Sequence, residues 1–146
     1  MSDPATVQVI CRFEASPERV FDAWLDPALA GRFLFATPTG TMITVEIDPK
    51  VGGRFTFIEH RPEQGDIEHI GEYLVIERPR RLSFTFAVPE FSEAYTTVSF
   101  EITPAGAGCN LALTHEGVLP DYETQTAEGW TRILDALAKA LGEAAD

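Results

Sequence analysis

A chain of 146 residues is one domain's worth; two halves would each be too small to stand easily alone. With 45% hydrophobic and 23% charged residues it has the make-up of a soluble globular protein, which excludes disorder, collagen-like repeats and coiled coil as its main state. Acidic residues outnumber basic ones 23 to 11, for a formal net charge of -12, so nucleic acid and anionic membrane are not expected as partners. The densest basic run, Arg78-Pro79-Arg80-Arg81, carries only three charges and reads as a solvated turn. No stretch approaches the ~20 apolar residues needed to span a bilayer. The opening Met1-Ser2-Asp3-Pro4 lacks the basic and apolar regions of a signal peptide, so a cytoplasmic location is the default expectation. Cys11 and Cys109 lack metal-ligand spacing and sit in strand-like runs, where buried thiols are expected rather than a bridge.

In chain order, Val7, Val9, Cys11 and Phe13 alternate with Gln8 and Arg12, as in a strand with one buried face. Ser16-Pro17 then opens a helix: Ser16 can cap the unpaired backbone N–H groups and Pro17 fits the first helical position, while Arg19 is expected to point outward. Val20, Phe21, Trp24 and Leu25 make its apolar stripe. Asp26-Pro27 ends it and starts a second short helix, to about Phe33. Strands follow at Met42–Ile47, Arg54–His60, Ile67–Glu77, Leu82–Phe86, Thr97–Ile102 and Leu111–His115. They are separated by turn formers such as Gly52-Gly53, the Arg61–Asp66 loop and Pro104–Gly108. Glu90–Tyr95 reads as an exposed loop. From Asp121 to about Leu141 the pattern is helical, with Trp130, Ile133, Leu134, Leu137, Ala138 and Leu141 on one stripe and Arg132 off it.

This order predicts a single α+β domain over 1–146: a curved antiparallel sheet of about seven strands, with a long C-terminal helix laid across its concave face. A bent sheet and a straight helix diverge at one end, which tends to leave a cavity.

Motifs for chemistry are few. There is no nucleophile elbow, phosphate loop or His-Glu-x-x-His, and Gly52-Gly53 precedes a strand rather than a helix, so no catalytic residue is assigned. The histidines neighbour carboxylates at Glu59-His60, Glu68-His69 and His115-Glu116, but adjacent strand residues face opposite ways and cannot share a metal. His60 and His69 meet across their hairpin only if the register allows it, so neither a metal nor another cofactor is expected. His115 continues the alternation of Leu111 and Leu113 and should point inward, where it can orient a ligand or act as an acid or base. The plainer and favoured reading is a histidine satisfied by a backbone carbonyl. Phe55, Phe57, Tyr73, Phe84, Phe86, Phe100, Trp130 and Leu134 are spaced for the sheet interior or the helix face that covers it. Most of these are core; Tyr73 and Trp130 carry polar tips that can reach a ligand.

The series Ala15–Trp24, Asp26-Pro27, Val45–Asp48 with Val51–Phe55, Gly71-Glu72-Tyr73, Pro79–Thr85, Leu113–Gly117 and Gly129-Trp130 resembles the Hsp90 ATPase activator homologue family of the SRPBCC (START/Bet v 1-like) superfamily. The resemblance runs over nearly the whole chain. It implies a helix-grip fold with an apolar cavity between sheet and long helix, and it sets the 90–95 segment near the cavity mouth. Where many relatives have a tryptophan-rich segment, this chain has Gly31-Arg32-Phe33-Leu34-Phe35, so the cavity entrance is expected to differ. The function expected is binding of a small hydrophobic or weakly polar molecule, through Phe55, Phe57, Tyr73, Phe84, Phe86, Phe100, His115, Trp130 and Leu134. A polyketide cyclase or hydrolase in the same cavity, and a chaperone-interaction module, are the alternatives; a homodimer is left open. Because no arginine falls on an inward face in this reading, affinity should depend little on salt.

Overall fold

The computed structural model describes residues 4–35, 39–89 and 92–142, and for 92–94 the backbone alone. Strand β1 (Ala5–Phe13) leads into helices α1 (Pro17–Ala23) and α2 (Pro27–Phe33). Six strands follow: β2 (Thr41–Ile47), β3 (Arg54–Arg61), β4 (Gly65–Glu77), β5 (Arg81–Val88), β6 (Ser92–Ala105) and β7 (Gly108–Val118). A 3-10 turn at Pro120–Tyr122 then opens α3 (Glu123–Ala140). The seven strands form one antiparallel sheet in the order β1-β7-β6-β5-β4-β3-β2. This is the α+β helix-grip architecture, with α3 packed against β1 and α2.

Local chemistry explains the joints. Ser16 Oγ accepts the Arg19 N–H at 3.3 Å and Asp26 Oδ1 accepts the Ala28 N–H at 3.0 Å, so each short helix has a side-chain cap and a proline in its first turn. Gly53 admits no side chain: a Cβ there would collide with the Asp48 carbonyl, inside the turn that joins β2 to β3. Register shifts at Tyr73/Val75 and Phe86/Val88 interrupt the ladders of the central strands, the kind of irregularity that bends a sheet.

Two arginines behave differently from their sequence reading. Arg19 does not simply point outward; its Nη2 donates to the Leu141 carbonyl at 2.9 Å and clasps the end of α3 to α1. Arg78 is more than a solvated turn residue. Its guanidinium donates to both Asp22 carboxylate oxygens, at 2.7 and 2.9 Å, tying the β4–β5 turn to α1 and holding the Asp22 carboxyl below its usual range. The segment read as an exposed loop is also partly strand: Ser92–Tyr95 begins β6, with Ser92 opposite Val88, while Glu90 and Phe91 lie outside the described residues. Cys109 is buried as expected, whereas Cys11 is half-buried; neither is in a disulfide.

The core is aromatic. Phe13, Phe21, Trp24, Phe33, Phe57, Phe84 and Phe100 are all fully buried, together with Leu111, Leu113, Leu134 and Leu137. Among the described residues no helix is long and apolar enough to cross a membrane.

Candidate functional site

The concave face is not filled evenly. Along α3, residues 126, 129, 133 and 136 recur at helical spacing and face a cleft of about 730 Å³. Its opposite wall comes from β4 and β5, through His69, Phe86 and Val88, and its end from Phe35, just beyond α2.

Phe35 carries the strained backbone of the site. Its φ of 63° is left-handed, the only such value at a non-glycine among the described residues, and this costs about 1–3 kcal/mol. Packing holds it there. Its ring lies parallel to Phe86 (4.8 Å between centroids) and to His69 (4.7 Å), covering the two side by side, and meets Phe57 and Trp130 edge-on.

His115 and Trp130 form the second wall. The indole can only donate, so Trp130 Nε1–H donates to His115 Nδ1 at 3.0 Å. That assigns the imidazole proton to Nε2, which donates to Thr96 Oγ1 at 2.7 Å; the Thr96 hydroxyl passes on to the Phe86 carbonyl at 3.2 Å. Burial pushes the His115 pKa down to about 4, so it is neutral at pH 7. The partners are side chains, not the backbone carbonyl expected, but the outcome is the same: a satisfied histidine.

Charge gathers on the remaining side. Glu59 continues the inward alternation of Phe55 and Phe57, and its carboxylate is 1% exposed. Arg61, the next inward position, donates to it through Nε at 2.7 Å. Arg61 lines the cleft with Arg32 from α2 and Arg132 from α3. This overturns the expectation that no arginine faces the cavity. That expectation treated Arg61 as loop, although β3 runs one residue further, and left Arg132 off the apolar stripe, although its long stem reaches the cleft edge from beside it. Extending the alternation Phe55-Phe57 by two steps was the signal for Glu59 and Arg61; nothing in the sequence flagged Arg32.

Of the residues singled out from sequence, Phe86, His115 and Trp130 line this cleft. Phe57, Phe84, Phe100 and Leu134 do not line it; they are fully buried in the core. Tyr73 is buried among Phe55 and Phe84, away from the cleft, where burial and the nearby Asp48 carboxylate push its phenol pKa up. Phe55 borders a separate groove of about 400 Å³ whose other walls include Arg54, Thr56, Glu72 and Thr85, the strand positions that alternate with the inward ones. His60 lies opposite Asp66 and bonds to it at 2.8 Å, whereas His69 lies opposite Phe57, so the register sets these two histidines on opposite faces. Among the described residues no group of three or more His, Cys, Asp or Glu is placed to hold a metal ion.

This geometry, a long helix gripped by a curved sheet with the chain's aromatics between, defines the class to which the comparisons assign the protein. The model of the activator of Hsp90 ATPase homolog 1-like proteins matches residues 14–142, and the chain belongs to that family. No curated protein sequence matches it. Among solved structures, a protein of Chromobacterium violaceum superposes with a TM-score of 0.82 at 24% identity, over 93% of this chain and 96% of the other. The solution structure of an AHSA1-like protein of Aeromonas hydrophila gives 0.82 at 22%, over 97% and 94%. A protein of unknown function from Staphylococcus aureus gives 0.83 at 16%, over 97% of both chains. At these identities the likeness is one of fold.

Proposed function

We propose that the chain binds a small, largely apolar molecule in the cleft between α3, β5 and Phe35. The observation that carries this reading is the cleft itself. Its volume of about 730 Å³ lies in the range of small-molecule sites, and its walls include Phe35, Phe86, Trp130 and Ile133. Gly129 strengthens the case. A glycine inside a helix costs about 1 kcal/mol relative to alanine, yet a Cβ at Gly129 would meet nothing within 4 Å. Packing does not require the glycine there, and its effect is to leave the cleft wide.

Binding is favoured over acid–base catalysis by the state of His115. Both of its nitrogens are committed within the protein, and its low pKa makes it a weak base at neutral pH. The same commitment means that His115 and Trp130 offer a ligand ring faces and edges rather than polar tips.

Gly129→Leu tests the reading, because it fills the cleft from a helical position with room for a side chain. Native mass spectrometry of the purified protein should show a co-purified small molecule on the natural sequence and little on Gly129→Leu, with the melting temperature kept. Equal loading of the two proteins would sink the proposal.

A further inference from the structure

We infer that the molecule taken up by this cleft is an amphipathic monocarboxylate, an apolar body with one anionic head read by Arg32 and Arg132; this rests on the binding reading above. The protein is strongly acidic, yet three of its 11 basic side chains, Arg32, Arg61 and Arg132, come from three different elements to line one cleft. No carboxylate is among the described residues that line it. Arg61 is already answered by the buried Glu59. Among the described residues, Arg32 and Arg132 have no carboxylate within 4 Å. The cleft therefore carries an uncompensated positive charge at its edge beside an aromatic interior.

A guanidinium fits a carboxylate through two parallel N–H donors, and Arg32 and Arg132 offer theirs from exposed positions at the cleft edge, where salt screens the contact. The head should be singly charged. Of the three arginines among the described lining residues two are uncommitted, and a net charge of -12 repels a polyanion more strongly than a monoanion on approach. The body should be apolar, because the neighbouring wall groups are rings and the Ile133 and Ala136 side chains. The plainer role for such arginines is to cover apolar surface with their stems while their heads stay in water, which would give no preference for an anion.

Octanoate and octanol share a chain and differ in the head, so NMR titrations of the two at pH 7.5 separate these roles. Octanoate should bind about tenfold more tightly than octanol, and the Arg32→Gln/Arg132→Gln double variant should erase that advantage while leaving octanol unchanged. Raising salt from about 50 to 500 mM should weaken octanoate alone. Octanol binding as tightly as octanoate, or a double variant that keeps the preference, overturns the carboxylate inference and leaves the cleft reading standing. Binding of neither probe, or binding that persists in Gly129→Leu, overturns both.

Discussion

Under α1 the interior is solid, and beneath Phe35 it is not, although both halves are built from aromatic rings on the same sheet. In the solid half Phe21 and Trp24 close on Phe100, with centroids at 6.0 and 4.7 Å, and Leu134 and Leu137 fill the remaining space from α3. In the open half Phe35, His69 and Phe86 stand parallel, and the helix opposite them includes Thr126, Gly129 and Ala136. One helix thus fills the first half with Leu134 and Leu137 and sets Thr126, Gly129 and Ala136 beside Trp130 and Ile133 along the second. The cleft needs no special fold element; small side chains at a few helix positions are enough to keep it open.

The contrast can be broken most strongly at the rings. Phe100→Ala should cost about 3–5 kcal/mol in denaturant unfolding, because its neighbours cannot collapse into the void. Phe86→Ala, at the cleft wall, should cost less than half as much, since one side of that ring already faces open space. Equal costs would mean that the open half is as tightly packed as the closed one.

Acid should expose the next difference. An unfolded imidazole takes up its proton near pH 6.5, but folded His115 does so only near 4. Between these values the unfolded chain binds more protons, so stability falls as pH drops through that window, by on the order of 3 kcal/mol. His115→Gln should flatten this part of the stability-versus-pH curve; an unchanged slope would show that other groups cause it.

The two tryptophans sharpen the comparison further. Trp130 Nε1 donates to His115, whereas Trp24 Nε1 is buried with no acceptor among the described residues. Replacing Trp130 with phenylalanine leaves His115 Nδ1 buried and unanswered, a cost of roughly 1–3 kcal/mol beyond the lost volume. Trp24→Phe removes a donor that has no partner and should cost about 1 kcal/mol less than Trp130→Phe in the same assay. The smallest effect, and a gain, is expected of Gly129→Ala. It should stabilise α3 by about 0.5–1 kcal/mol, read as a higher denaturation midpoint.

How far the sequence discloses this contrast depends on what each residue's position obeys. The strands and their inward sets, Phe55-Phe57, Phe84-Phe86 and Leu111-Leu113-His115, follow from a period of two, so they are legible from the residues alone. Whether an inward ring ends in core or at a cleft is decided by the angle of α3 and by the chain after α2, and no local pattern encodes either. That is why Tyr73 and Phe100 looked equivalent to Phe86 in the sequence. Arg132 is hidden for a different reason. A long side chain places its charge several ångströms from its Cα, so Arg132 sits off the apolar stripe by position and at the cleft by reach.

The pairing of β1 with β7 has a consequence for how the molecule comes into being. Val7 lies opposite His115, more than a hundred residues along the chain, so β1 acquires its sheet partner only when β7 has been made. The Arg19 clasp on Leu141 arrives later still. Contacts of such sequence separation slow the search for the native state, and folding on the scale of milliseconds to seconds is the corresponding expectation. Until β7 and α3 arrive, β2 to β6 hold an unsheltered apolar face, which marks the interval of synthesis in which this chain is most open to aggregation.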